Sequence, residues 1–399
     1  MKIFKDITRQ LNLGDITKPA ERIYGGFQHK MYKLQTSSGT YAVKLLNPEI
    51  MKRSDAFENY ATAEKLEKKL QDNNIPIVPA LEFGGKKMQC INNQYFYVFN
   101  WVDSTKAPPD CCEIIGKLLA QIHNIEQFHD DYQPEELSID WDNYIELSKS
   151  LCPEVTALLQ ENRYILYNSQ INGNKARKKL SGLNAICHGD MDTKNVLWVD
   201  NKPLIIDLEC LEYNNPNSEM FNCALCWSGY EDCDLDYNKL RAFLNAYGKV
   251  NSDWDTLFHN NFGRLEWLEY NIKRALMIEC SDKEEQQLGV QEIHETMEHV
   301  VYYDKIKYEL LEELSSTSNK ASYIILEDMV LLSKKYYLEW REIQDEYYET
   351  YKANLPAMTC DELLEYFRLD YGSVDESPFL REEIINFFNS DKLILYSSK

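Results

Sequence analysis

The chain has 399 residues, 44% apolar and 27% charged, values that suit a soluble globular protein with more than one core and exclude a disordered or fibrous one. Its formal net charge of −22 repels a phosphate backbone, which sets nucleic acid aside as a partner and favours a cationic small molecule. No stretch approaches about 18 uninterrupted apolar residues, so no membrane association is expected. Met1 to Gln10 lacks the apolar core of a signal peptide, and the 11 Cys read as reduced thiols in a cytoplasm.

Residues 22–46 alternate as strands. Tyr41, Val43 and Leu45 share one face, while Ala42, Lys44 and Leu46 share the other. Ser37-Ser38-Gly39 is the turn of a hairpin with 30–36. A helix is predicted over 55–72, with Phe57, Tyr60, Ala63 and Leu70 on one stripe, and Asn73-Asn74 and Pro76 mark its end. Gln94 to Val102 reads as a further strand.

After the polar, Pro-containing run Asp103 to Pro109 the pattern turns helical. Ile114, Ile115, Leu118, Leu119 and Ile122 define a helix over 111–124. Most of the remainder to about 315 is helical, apart from one strand-rich island at 185–209. Ser315 to Asn319 resembles a linker. Beyond it a long helix over about 321–352 is expected, then a shorter helical segment and the apolar run Leu393 to Tyr396. Cys210, Cys223, Cys226 and Cys233 contain a single CxxC. A structural zinc site usually needs two such pairs, so buried helical thiols are the preferred reading.

The chemistry is concentrated in the island, which runs His188-Gly189-Asp190-Met191-Asp192-Thr193-Lys194-Asn195 and ends at Asp207. Two β runs, 196–199 and 203–206, flank Asp200-Asn201-Lys202. If the hairpin is centred on Asn201, Asn195 and Asp207 oppose each other with Cβ atoms roughly 4.5–5.5 Å apart. An amide oxygen and a carboxylate at that spacing suit Mg²⁺, which prefers hard oxygen ligands and completes its shell with phosphate and water. Asp190 precedes Asn195 by five residues. This is the interval of a kinase catalytic loop, in which the Asp accepts the hydroxyl proton or orients the nucleophile.

This segment resembles the catalytic loop of the aminoglycoside phosphotransferase and choline kinase superfamily, and the order of elements follows that family over roughly residues 20–315. The resemblance implies an α+β, protein-kinase-like bilobal fold. It would have a small antiparallel-sheet N-lobe with one helix over 1–102 and a larger, mostly helical C-lobe over 103–318. Residues 319–399 would form an extra helical C-terminal segment outside the likeness. The cofactors implied are ATP or GTP with Mg²⁺, and the reaction is phosphoryl transfer to a small-molecule hydroxyl.

By the same resemblance Asp190 is the catalytic residue, Asn195 and Asp207 are the metal ligands, and Lys44 is the phosphate-binding lysine. Glu64 matches the helix partner of that lysine. It falls beside Phe57 and Tyr60 on the helical wheel, where a carboxylate needs a cation, and Glu67 is the competing candidate. Gly25 and Gly26 sit where a nucleotide-covering hairpin would lie, although GxGxxG is absent. Asn100 and Val102 sit at the hinge whose backbone would hold adenine. His123 and His188 are read as structural. The sequence departs from the pattern after Asp207, where Glu219 stands in place of the usual loop-anchoring Asp.

Two acid and aromatic clusters are candidates for holding an amine-bearing acceptor such as an aminoglycoside or amino alcohol. One contains Glu231 and Asp232, with Asp192 of the loop. The other contains Trp267 and Tyr270. Two alternatives share the fold: a catalytically weak binding or regulatory protein, and a kinase acting on a protein hydroxyl. Intact Lys44, Asp190, Asn195 and Asp207 disfavour the first. Asp207-Leu208-Glu209, where a protein kinase has Asp-Phe-Gly, disfavours the second.

Overall fold

Alternation in residues 21–45 is realised as three strands, β1 (Glu21–Ile23), β2 (Lys30–Thr36) and β3 (Gly39–Leu45), preceded by a helix, α1 (Lys2–Leu11), that sequence patterning does not predict. The structure, a computed structural model, describes residues 2–23, 29–248, 250, 253–260, 263–278, 283–317, 320–335, 337, 340–390 and 392–397. Helix α2 (Ala56–Asp72) and strands β4 (Gln89–Ile91) and β5 (Gln94–Asn100) follow. The five strands form an antiparallel sheet in the order β1-β2-β3-β5-β4. Phe4, Ile7 and Leu11 of α1 bury one face against Leu34, Val43, Phe96 and Val98. On the other face Leu46 and Tyr97 pack with Tyr60 of α2. Period-2 side chains thus give Val43 to the core and Lys44 to the opposite side.

Contacts divide the chain into two compact units: residues 1–134 with 180–251, and residues 135–179 with 252–399. In the first, α3 (Cys111–His123) is followed by a three-stranded sheet in the order β10-β7-β6, built from β6 (Gln127–His129), β7 (Leu183–Cys187) and β10 (Glu212–Asn214). The hairpin of β8 (Val196–Val199) and β9 (Lys202–Ile205) lies between β7 and β10 in sequence. It is tied to the segment after α2, since the Val78 amide donates to the Ile205 carbonyl at 2.8 Å and the Ile205 amide to the Pro76 carbonyl at 2.9 Å.

The second unit is helical up to residue 317, around a core that includes Trp141, Val155, Leu166, Leu268, Ile272 and Ile293. Beyond that point the structure corrects the expectation. No helix spans 321–352. Lys320–Leu326 and Val330–Ser333 are antiparallel strands in a sheet completed by Tyr351–Asn354, Met358–Thr359 and Ile394–Tyr396. Among the described residues of the expected long helix only Trp340–Glu346 is helical. The physical reason is in the residues: Ser322-Tyr323-Ile324-Ile325 is aromatic and β-branched, and suits a pleated surface better than a helix. Tyr323 and Leu332 pack on the helices Cys360–Tyr371 and Arg381–Phe388 through Phe367 and Ile384. Ile324 and Leu331 pack on Ile343. Both faces of this sheet are therefore covered. Among the described residues no helix is long and apolar enough to cross a membrane.

Candidate active site

The hairpin after the catalytic-type loop closes with a tighter turn than expected. Its register pairs Val196 with Ile205 and Val199 with Lys202, leaving a two-residue turn, Asp200-Asn201, with φ of 49° and 60°. Positive φ at both central positions matches the twist of the strands, and Asp and Asn tolerate it. The pairing is thus shifted by one from a centre on Asn201. Asn195 stands opposite Ile206, whose amide donates to the Asn195 carbonyl at 2.9 Å. Asp207 follows in the left-handed region, at φ 62° and ψ 52°, so the chain turns sharply where the ladder ends.

That turn aims Asp207 at the N-terminal sheet. The Lys44 ammonium on β3 lies 2.5 Å from Asp207 Oδ1 and 2.6 Å from Glu209 Oε2. Lys44 is only 5% exposed. Burial alone pulls its pKa down, but Glu209 and Asp207 outweigh that and hold it above the ordinary value. Burial likewise pushes the Glu209 carboxyl up, and Lys44 and His29 reverse this to bring it to about 2.

Neither helix carboxylate reaches Lys44. Tyr97 is the ladder partner of Lys44, and its hydroxyl donates to Glu64 Oε1 at 2.9 Å. Glu64 also accepts the Met88 amide at 3.3 Å. Glu67 instead pairs with Lys87 at 3.0 Å and accepts the Ala80 amide at 3.1 Å. The carboxylates do find partners, but these are Tyr97 of β5 and groups of the segment that precedes β4.

Around Asp190 the loop is held by hydrogen bonds. The Asn195 amide nitrogen donates at 2.9 Å both to the Asp190 carbonyl and to Asp190 Oδ2. Buried His188 accepts the Asp190 amide on Nδ1 at 3.3 Å. This places its ring proton on Nε2, which donates to the Ile206 carbonyl at 3.0 Å. Gly189 has φ of +80°, and a Cβ there would meet the Cys210 carbonyl at 2.8 Å, so the turn admits only glycine. Burial raises the Asp190 pKa; Lys194 opposes this, while Asp192 and Asp207 add to it. Asp192 accepts the Lys194 amide at 2.8 Å and pairs with its ammonium, also at 2.8 Å.

Glu219 occupies the anchoring position. Asn215 caps the helix Pro216–Trp227 and sets Glu219 in its first turn. Its Oε1 accepts the Gly189 amide at 2.6 Å, and its Oε2 pairs with His123 Nε2 at 2.7 Å. His123 Nδ1 lies 2.8 Å from the Tyr247 hydroxyl. Burial favours protonation of Glu219, but these contacts hold its carboxyl below the usual range. His123, Cys187 and Glu219 are close enough to ligate a metal, yet His123 and Glu219 already hydrogen-bond each other and their neighbours, as a structural anchor does. Cys223 is buried on the same helix and donates to the Met191 carbonyl.

The remaining expected residues are dispersed. Asn100 ends β5 opposite Tyr41, with Val102 two residues on. Gly25 and Gly26 lie outside the described residues. Glu231 and Asp232 are exposed on the turn Tyr230–Asp232, in the same unit as Asp190. Trp267 and Tyr270 belong to the second unit. Their rings stack at 5.3 Å; the Trp267 indole donates to Glu292, and the Arg274 guanidinium lies over Tyr270. Sequence patterning missed Glu209 and His29 at the site. The adjacency Asp207-Leu208-Glu209 was the available signal for the first, and His29 carried none.

A small sheet bearing a buried lysine, followed by a loop of acidic and amide side chains, defines a protein-kinase-like fold. Residues 19–255 match the profile of the phosphotransferase enzyme family, and the chain belongs to that family. It is accordingly a small-molecule phosphotransferase acting on a hydroxyl group. Sequence comparison finds no match among curated proteins. Among solved structures, a spectinomycin phosphotransferase in complex with ADP and spectinomycin is similar at a TM-score of 0.57 and 16% identity, over 75% of this chain and 98% of that one. This likeness is one of fold. An amicoumacin kinase in complex with AMP-PNP and Ca²⁺ has a TM-score of 0.47 at 10% identity, over 74% and 93% of the two chains. A choline kinase from Streptococcus pneumoniae has a TM-score of 0.47 at 14% identity, over 75% and 99%. These two likenesses are weaker.

Proposed function

We propose that the protein transfers the γ-phosphoryl group of ATP, taken as its Mg²⁺ complex, to a hydroxyl of a small amine-bearing molecule. The observation that carries this reading is the meeting of Lys44 with Asp207 at 2.5 Å, one residue past Ile206, whose amide hydrogen-bonds to Asn195. Lys44 is the group for phosphate oxygens. The Asn195 amide nitrogen is committed to Asp190, which leaves its Oδ1, with the carboxylate of Asp207, as hard oxygen ligands for Mg²⁺. Two carboxylates, Asp207 and Glu209, face one buried ammonium, Asp190 lies close enough to Asp207 to feel its charge, and a divalent cation suits that excess of negative charge. When bound, Mg²⁺ would neutralise charge on the transferring phosphate.

Asp190 is the residue for the acceptor hydroxyl. One of its oxygens takes the Asn195 hydrogen bond, which fixes the carboxylate, and the other has no partner among the described residues. Its raised pKa makes it a better proton acceptor than an ordinary aspartate. For the amine of the acceptor, support comes from the net charge of −22 and from exposed Glu231 and Asp232 in the same unit. Asp192 also belongs to that unit, although Lys194 already engages it. Trp267 and Tyr270 are left out of the acceptor site, since Glu292 and Arg274 occupy them.

Labelled ATP and GTP offered with a panel of amine-bearing sugars and amino alcohols would test the proposal. Asp190→Asn should fold normally, because Asn keeps an oxygen for the Asn195 amide, and should lower turnover by about 10²–10⁴-fold. Near-native turnover in that variant, or transfer to none of the panel, would end the reading.

A further inference from the structure

The carboxylate facing Lys44 comes from the metal-binding loop and not from α2. Glu209 Oε2 takes the Lys44 ammonium at 2.6 Å, and Glu209 Oε1 takes His29 Nε2 at 2.9 Å. His29 Nδ1 accepts the Asn47 amide at 3.0 Å, so the neutral ring carries its proton on Nε2, directed at Glu209. The Tyr60 hydroxyl lies 3.2 Å from the same nitrogen. One carboxylate therefore spans Lys44 of the sheet and His29 just before β2, and the left-handed backbone of Asp207 swings it into place. Glu64 and Glu67 are both committed elsewhere, to Tyr97 and Lys87.

We propose that Glu209 is the positioning residue for Lys44 in phosphoryl transfer, taking the part of a helix carboxylate, and that His29 orients Glu209. This rests on the reading of Lys44 as the phosphate-binding lysine. Asp207 would be shared between Lys44 and Mg²⁺ when that ion is bound, whereas Glu209 gives the ammonium a second carboxylate partner. The same contact ties the end of the β1–β2 connection, where His29 sits, to the loop that carries Asp207. A lysine without this partner would reach the nucleotide from many rotamers and bind it less well.

The test is nucleotide binding by calorimetry with ATP and Mg²⁺ on the full chain, together with steady-state KM and kcat for ATP. Glu209→Gln and His29→Ala should each weaken ATP binding about 10-fold or more, and His29→Gln, which retains a donor, should recover most of the loss. In a Lys44→Met background Glu209→Gln should have no further effect, whereas a residue serving only the fold would keep its effect there. The inference is overturned by additivity in the Lys44→Met background, by tighter ATP binding in Glu209→Gln, or by a change confined to the Mg²⁺ requirement. If Lys44→Met itself leaves ATP affinity unaltered, the reading of Lys44 fails. If Lys44→Met weakens ATP binding and Glu209→Gln does not, only the role of Glu209 fails.

Discussion

Replacing Glu219 with Ala removes the acceptor of two hydrogen bonds at once, to the Gly189 amide and to His123 Nε2. The two losses differ in size. The Gly189 amide sits at an exposed position, where water can substitute, so that bond is worth about 0.5–1.5 kcal/mol. His123 is 1% exposed, and stranding its ring nitrogen costs about 1–3 kcal/mol. Together they predict a destabilisation of roughly 2–4 kcal/mol, or a Tm lower by on the order of 10 °C for a unit of about 200 residues. Thermal and denaturant unfolding, followed by circular dichroism, measure it without any substrate. The shorter Glu219→Asp should fall between, because it loses one methylene of reach. A loss under about 1 kcal/mol in Glu219→Ala would mean that the Gly189 turn is held by something other than this anchor, and the account of the loop would be wrong.

Asp207→Ala should weaken Mg²⁺–ATP binding by about 10-fold or more, yet leave Lys44 paired with Glu209 and the fold intact; equal affinity in Mg²⁺ by calorimetry would contradict the ligand assignment. The pH profile should show the raised pKa of Asp190. Activity needs its ionised form, so the rate falls as pH drops through a value above the ordinary 3.8, and a profile flat down to about pH 4 would exclude Asp190 as proton acceptor. Phe367 is fully buried in the C-terminal segment, 5.1 Å from the Tyr323 ring, and Phe367→Ala should cost about 3–5 kcal/mol. An unchanged unfolding transition would refute the packing described for that sheet.

Much of the candidate site was legible in the residues, because a hairpin and a catalytic-type loop are local. His188, Asp190, Asn195 and Asp207 fall within twenty residues, and strand alternation puts Lys44 on the face away from Val43. The errors came where local signals compete. The pairing moved by one because Asp200 joins Asn201 in the left-handed region, and Val196-Leu197-Trp198-Val199 and Pro203-Leu204-Ile205-Ile206 are apolar at every position, so no alternation fixes their register. In the C-terminal strands, charged residues on either side mask the short apolar run Tyr323-Ile324-Ile325 and give the segment a helical pattern.

The sequence by itself pointed to the reaction type and to four candidate groups for it, since phosphoryl transfer demands hard oxygen ligands and a cation at short range. Only the tertiary structure decided which carboxylate meets Lys44. Glu64 lies 20 residues after Lys44 and Glu209 two residues after Asp207, and nothing in the chain ranks them. The choice turns on Tyr97, which stands opposite Lys44 and takes Glu64 for its hydroxyl, and on the left-handed turn at Asp207 that carries Glu209 back to the sheet.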